Sequence, residues 1–242
     1  MTMALRGRVA VVTGASAGIG LAITEALAAE GAYVVAGARH SSAGLDALAA
    51  GGRVGIHEVD LATTEGPADL VAGAARPVDV LVNNVGLSVP RPGGFLAIGD
   101  RDWAGSFTVN LMAAVRATRA VLPGMLAAGG GAIITIGSVN AWLPDPLIAD
   151  YCAAKAALWS FTKALSMEFG PRGVRVNLVA PGPTTTRRWP VDQRAAIAAR
   201  TMTGRLSEPS EIAAVVVMLA GGHTGNITGT AISVDGGLVP TL

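Results

Sequence analysis

A single doubly wound α/β domain, with a parallel sheet of about seven strands and helices on both faces, is predicted by three features of this 242-residue sequence. Short runs rich in Val and Ile alternate with longer stretches rich in Ala and Leu. The strand-like runs are almost continuously apolar, as strands are when both faces of a parallel sheet are covered. Glycine-rich and polar segments follow several of these runs, where such a sheet meets its ligands outside the carboxyl ends of the strands.

In order, strands are expected at "RVAVVT", "YVVAGA", "RVGIHEV", "DVLVNN", "GAIITIGS", "VRVNLVA" and "TAISVDG". Helices are expected from about Gly18, Ser41, Glu65, Asp102, Tyr151 and Glu208, the last opened by the helix-start pattern "SEPSE". No repeat or linker divides the chain, so residues 1–242 read as one domain, with a cofactor half over about 8–100 and a catalytic and substrate half over about 101–242. The rhythm breaks at residues 184–207, an insertion long enough to act as a lid.

Composition narrows the function. An apolar fraction of 51% with 14% charged residues provides one large core, and a net charge of +1 offers no field for nucleic acid or an anionic bilayer. The apolar run "VAVV" behind the first arginines is too short for an export signal, and "IAAVVVMLA" from Ile212 is too short to span a bilayer. One cysteine, Cys152, suits a reducing cytoplasm and reads as packing on an alanine-rich helix. His40, His57 and His223 are scattered, so no metal is expected.

After the first strand, "TGASAGIG" places Gly14, Gly18 and Gly20 at a strand-to-helix turn, where backbone can approach a pyrophosphate and the amides of the following helix can bind its charge. The spacing is one step from the dinucleotide fingerprint, and no Lys-Ser or Lys-Thr follows to make it a nucleotide triphosphate loop. The second strand ends "VVAGARH", with Arg39 and no acid before Asp46. An acid there would bind the 2′-hydroxyl of NAD; an arginine pairs with the 2′-phosphate of NADP, so NADP(H) is favoured over NAD(H).

Further along, "DYCAAKAALWSFTKAL" sets Tyr151 four residues before Lys155 in a helical stretch, one turn apart on one face. Hydride delivery to a carbonyl leaves an alkoxide that needs a proton. A phenol, titrating at about 10, donates one readily, and a neighbouring ammonium stabilises the phenolate it leaves. Ser138, at a strand end, is placed to hydrogen-bond the substrate oxygen.

With these motifs in hand, the chain from about Arg8 to Gly237 resembles the short-chain dehydrogenase/reductase family, of the ketoreductase type that includes 3-oxoacyl-[acyl-carrier-protein] reductases. "TGASAGIG", Asp60 in "VDLA", "NNVG" at 83–86, Asn110 in "VNLMAA", Ser138 in "IGSVNA", Tyr151, Lys155 and "NLVAPGPTTT" from Asn177 stand in the family's order. The resemblance implies a Rossmann-type fold and the catalytic set Asn110, Ser138, Tyr151 and Lys155, with Lys155 also on the nicotinamide ribose and Asn110 holding a water that links Lys155 to solvent. It implies cofactor contacts from Gly14, Ser16, Gly18, Ile19, Gly20, Arg39, Asp60, Leu61, Asn84, Gly86, Tyr151, Lys155, Pro181, Gly182, Thr184 and Thr186. Ala17 stands where many NADP-using members carry a basic residue, Val85 replaces an alanine, and Thr184 replaces an aliphatic residue.

The expected activity is interconversion of a carbonyl and a secondary alcohol, on a small molecule that is either a carrier-bound 3-oxoacyl thioester or a free ketone, sugar or secondary metabolite. A non-catalytic NADP-binding sensor or scaffold is the alternative from another class, and the joint presence of all four catalytic residues speaks against it. Trp142, Leu143, Pro144 and Leu147, with Val89, Phe95 and Trp189, suggest an apolar wall; Arg187 and Arg188 open the lid, and Asp145 and Asp150 read as solvated. Surplus apolar positions on the helices from Asp102 and Tyr151 predict a homotetramer or homodimer.

Overall fold

The computed structural model describes residues 4–186 and 191–240. Its seven parallel strands are β1 (Val9–Thr13), β2 (Tyr33–Ala38), β3 (Val54–Glu58), β4 (Val80–Asn83), β5 (Gly131–Ile136), β6 (Val174–Pro181) and β7 (Ala231–Val234). They lie in the order β3-β2-β1-β4-β5-β6-β7. Chain order reverses between β1 and β4, which pair Val11 with Leu81, and this opens a crevice at their carboxyl ends.

Between the strands run α1 (Gly18–Ala29), α2 (Ala43–Ala50), α3 (Gly66–Ala72), α4 (Asp100–Phe107), α5 (Ala113–Ala127), α6 (Ala149–Phe169), α7 (Val191–Ala198) and α8 (Pro209–Ala220). Alternate strand residues feed separate cores. Ala10, Val12, Val34, Val82 and Ile134 pack with Ile23, Leu27, Ile212 and Val216 of α1 and α8. Val11, Val35, Leu81 and Ile133 pack with Leu70, Ala117, Val121 and Met125 of α3 and α5. Both faces are thus dry, which is why the strands read as unbroken apolar runs.

Two elements differ from the sequence expectation. The helix expected from Asp102 begins at Asp100, because the Gly99 amide donates to the Asp102 carboxylate at 3.1 Å and starts the turn early. It is also not uniform: Thr108–Met112 forms a π-helical turn joining α4 to α5, with Asn110 at its centre. A π turn inserts one residue into the helical ladder and commonly sits at functional positions.

The 184–207 insertion is pinned at its neck. Thr184 bridges to Ser207, the Thr185 amide donates to the Ser207 carbonyl at 2.8 Å, and the Ser207 amide donates to the Pro183 carbonyl at 2.9 Å. It carries α7, while Arg187, Arg188 and Trp189 lie outside the described residues.

Candidate active site

The crevice between β1 and β4 is held by a knot of two side chains. Thr13 Oγ1 accepts the Asn84 amide at 2.8 Å and the Val85 amide at 3.0 Å, and donates to the Val82 carbonyl at 3.3 Å. Asn84 Nδ2 donates to the carbonyls of Thr13 and Gly14, at 2.9 and 3.0 Å. Gly20 lies against this knot: a Cβ there would sit 2.1 Å from the Gly14 carbonyl oxygen and 2.5 Å from Asn84 Nδ2. Any other residue would push the start of α1 off the strand ends. Gly14, at φ +68°, and Gly18, at φ +53°, take left-handed backbone angles that a side chain would strain.

The result is a cradle suited to a dinucleotide. Ala17 precedes α1 with no side chain capping the first turn, which leaves its first amides without a side-chain acceptor. Ser16 offers its carbonyl to Ser42 Oγ at 2.7 Å, which ties the loop to the start of α2. Thr186 closes over the loop, its Cγ2 lying 3.4 Å from where a Gly18 Cβ would stand. Ile19 is half-buried behind the loop. Asp60 is exposed just past β3 and accepts the Ala62 amide at 2.9 Å, while Leu61 beside it is buried. Gly182 is pressed against Asp235, whose Cβ would be 2.6 Å from an added Cβ, and Thr184 Oγ1 donates to the Gly182 carbonyl at 3.0 Å. Pro181, the last residue of β6, is buried.

Arg39 is exposed just past β2. The sequence shows no acid there before Asp46, but pairing places Glu58 of β3 opposite Ala38. Glu58 accepts the Ser41 amide at 3.0 Å, and Asp46 accepts Ser41 Oγ. Two carboxylates therefore stand near Arg39, and only strand pairing reveals the first.

On the other side of the crevice, α6 presents Tyr151 and Lys155. Lys155 is buried, its Nζ donating to the Ile136 carbonyl at 2.8 Å, and it lies 5.7 Å from the centre of the Tyr151 ring. Burial pushes its ammonium down from an ordinary 10.5 to about 8. Gly86 permits this placement: a Cβ there would meet Asn110 Oδ1 at 3.0 Å and Lys155 Nζ at 3.3 Å.

Asn110 is buried and engaged by backbone. Its Oδ1 accepts the Leu87 amide at 2.9 Å, and its Nδ2 donates to the Leu87 carbonyl at 2.8 Å and the Ser106 carbonyl at 3.0 Å. Its side chain splints the π turn to the segment that follows β4. Asn84 shows the same pattern, its amide group going to the strand ends.

Ser138, two residues past the carbonyl that holds Lys155, starts a short 3-10 turn. Its Oγ donates to Asn140 Oδ1 at 3.1 Å and accepts the Asn140 amide, while Asn140 Nδ2 donates to the Leu143 carbonyl at 3.0 Å. Asn140 and Thr13 stand inside the motifs "IGSVNA" and "TGASAGIG", yet motif reading gives neither a role.

Four further side chains bear on the sequence expectations. Asp150, expected in solvent, is buried, and its Oδ1 has no hydrogen-bond partner. Asp145 is exposed and caps the Leu147 amide. Asn177, which opens the segment expected at the nicotinamide end, is buried and ties β6 to the Ile227 and Thr230 backbone. Cys152 is buried against the Asp145 backbone, and burial pushes its thiol up, as a packing cysteine requires. Among the described residues no three His, Cys, Asp or Glu side chains gather where a metal would bind, and no helix is long and apolar enough to cross a membrane.

Comparison with known proteins agrees with this geometry. The family model described as short chain dehydrogenase matches residues 8–195. The chain is 39% identical to the 3-oxoacyl-[acyl-carrier-protein] reductase FabG of Escherichia coli over 243 residues, covering 98% of this chain and 99% of that one. It is 37% identical to D-threitol dehydrogenase of Mycolicibacterium smegmatis, covering 96% and 93%. The crystal structure of L-sorbose reductase from Gluconobacter frateurii, complexed with NADPH and L-sorbose, superposes with a TM-score of 0.92 at 34% identity and full coverage of both chains.

Proposed function

This chain belongs to the short-chain dehydrogenase family and is an oxidoreductase of carbonyl and alcohol groups; from that premise we propose an NADP-dependent ketoreductase with Tyr151 as its proton donor. The observation that carries this is Lys155: a desolvated ammonium, one helical turn from Tyr151, beside the glycine-lined strand end of Gly86. Burying a charge without a carboxylate partner is costly, and it is kept where the charge has work to do on a neighbouring group.

The residues fit a dinucleotide. Gly14, Gly18 and Gly20 leave room for a pyrophosphate at the uncapped start of α1, Arg39 would meet a 2′-phosphate, and Lys155 would meet the nicotinamide ribose. Ser16, Ile19, Asp60, Leu61, Asn84, Gly86, Pro181, Gly182, Thr184 and Thr186 complete the proposed contacts, Asn84 through its backbone. When bound, the nicotinamide supplies the hydride. The L-sorbose reductase complexed with NADPH supports the same cofactor here.

Ser138 orients the substrate oxygen, with Asn140 setting its hydroxyl. Tyr151 gives its proton to the alkoxide as charge develops, and the Lys155 ammonium steadies the phenolate left behind. Asn110 acts as a positioning residue: by fixing Leu87 to the π turn it holds Gly86 against Lys155, and the proton returns to Tyr151 along the Lys155 side. Tyr151→Phe tests the scheme. Turnover of NADPH with any ketone falls about a hundred- to ten-thousandfold while NADPH affinity stays within a few-fold; a variant that keeps turning over at the wild-type rate refutes it.

The assembly proposed is a homotetramer or homodimer working in the cytoplasm. One face of α6, formed by Ala149, Cys152, Ala153 and Ala156, lines a cavity of about 450 Å³ beside the 140–146 loop, a small-residue surface that a second helix would fill.

A further inference from the structure

We infer that the substrate is a ketone bearing an extended, unbranched apolar chain, and that polyhydroxy ketones are excluded; this rests on the ketoreductase reading above. Among the described residues, nine of the twelve large apolar side chains left exposed lie on the three segments that follow β4, β5 and β6. Those segments leave the carboxyl edge of the sheet at the strand ends that carry Gly86, Ser138 and Thr184. Exposed apolar residues scattered over a surface carry no message, but a group of them around one crevice marks a binding wall.

The segments are also joined to each other. The Arg91 amide donates to the Leu147 carbonyl at 2.8 Å, linking the Leu87 and Val89 segment to the Trp142, Leu143 and Leu147 segment. Trp142 packs edge-on against Trp159 of α6, with ring centres 6.3 Å apart, so the wall begins on the helix that carries Tyr151.

Several polar groups on the first two of these segments are already engaged. Arg91 pairs with Asp102 at 2.9 Å, Asn140 donates to the Leu143 carbonyl, and Asp145 accepts the Leu147 amide. Ser88 Oγ and Arg91 Nε lack partners but are sealed below the surface. A polyol entering here would lose water from its hydroxyls and find few free partners, whereas an alkyl chain would only gain. An apolar wall rejects an added hydroxyl by about a hundredfold and gains a few-fold for each methylene it covers.

The test is NADPH oxidation with unbranched 2-alkanones from 2-butanone to 2-nonanone, and with fructose. The expected result is a kcat/KM that rises about fourfold per methylene over the first several carbons, with fructose at least about a hundredfold below 2-nonanone. Val89→Ser and Leu143→Ser flatten the rise. A flat series, or fructose as the better substrate, overturns the inference and leaves the ketoreductase reading standing; a flat series is also what results if a second subunit covers the wall. Should no ketone turn over, the ketoreductase reading fails, and ligand binding is read separately. A rise in the melting temperature of the NADP-loaded protein with 2-nonanol but not sorbitol keeps the apolar wall, and an equal response to both overturns it.

Discussion

Replacing Lys155 with Met should make the cofactor-free protein more stable while removing its activity. The ammonium is held at about 8 rather than 10.5 by burial alone. At about 1.4 kcal/mol for each pH unit of displacement, keeping it charged at neutral pH costs about 3 kcal/mol of folding free energy. Met fills a similar volume without charge but loses the hydrogen bond to the Ile136 carbonyl, worth about 1 kcal/mol. The net expectation is a gain of about 2 kcal/mol, or roughly 4–8 °C in Tm for a chain of this size.

The pH dependence carries the diagnosis. Below about pH 8 both folded and unfolded wild-type chains hold the Lys155 proton, so the whole penalty is present. Between about 8 and 10.5 only the unfolded chain still holds it, so wild-type stability rises with pH in that window and the advantage of the variant disappears. The assay is thermal or guanidinium unfolding of both proteins without cofactor, at matched protein concentration, from pH 6 to 10.5. A variant less stable than wild type at pH 7, or a gap that does not change with pH, would refute the claim that Lys155 is a desolvated charge. A stabilised but inactive variant is the usual exchange of stability for function at an active site.

Three further outcomes are expected. Arg39→Ala should cut the preference for NADPH over NADH at least about tenfold, the worth of one charge-assisted hydrogen bond to a phosphate; an unchanged ratio removes Arg39 from the cofactor site. Asn140→Ala should lower kcat about tenfold, since Ser138 loses the partner that orients it, with the cofactor KM and Tm nearly unchanged; a fall in Tm with kcat preserved would make Asn140 structural. Light scattering at micromolar concentration should return a dimer or tetramer mass, and a monomer would leave the α5 and α6 faces without the covering proposed for them.

Much of this molecule is legible from order and type of residue alone. Seven apolar runs become seven strands because a parallel sheet buried on both faces admits little else. The glycine loop is recognisable because Gly20 has no room for a Cβ and Gly14 and Gly18 take left-handed angles, constraints that leave a mark at each position. Tyr151 and Lys155 share a face through helical spacing, which is local.

What the tertiary structure alone decides is what depends on contacts between distant segments. Strand pairing puts Glu58 beside the turn of Arg39, and no reading along the chain brings them together. The π turn at Asn110 answers to Leu87, 23 residues earlier, through a side-chain splint that no reading along the chain reveals. Asp150 looks solvated in a loop-rich stretch and is buried because α6 starts at Ala149 and packs it inward. Sequence determines which groups are available and which local angles they take; folding determines which of them lose water, and the depressed Lys155 ammonium shows that losing water is what turns an ordinary side chain into a reactive one.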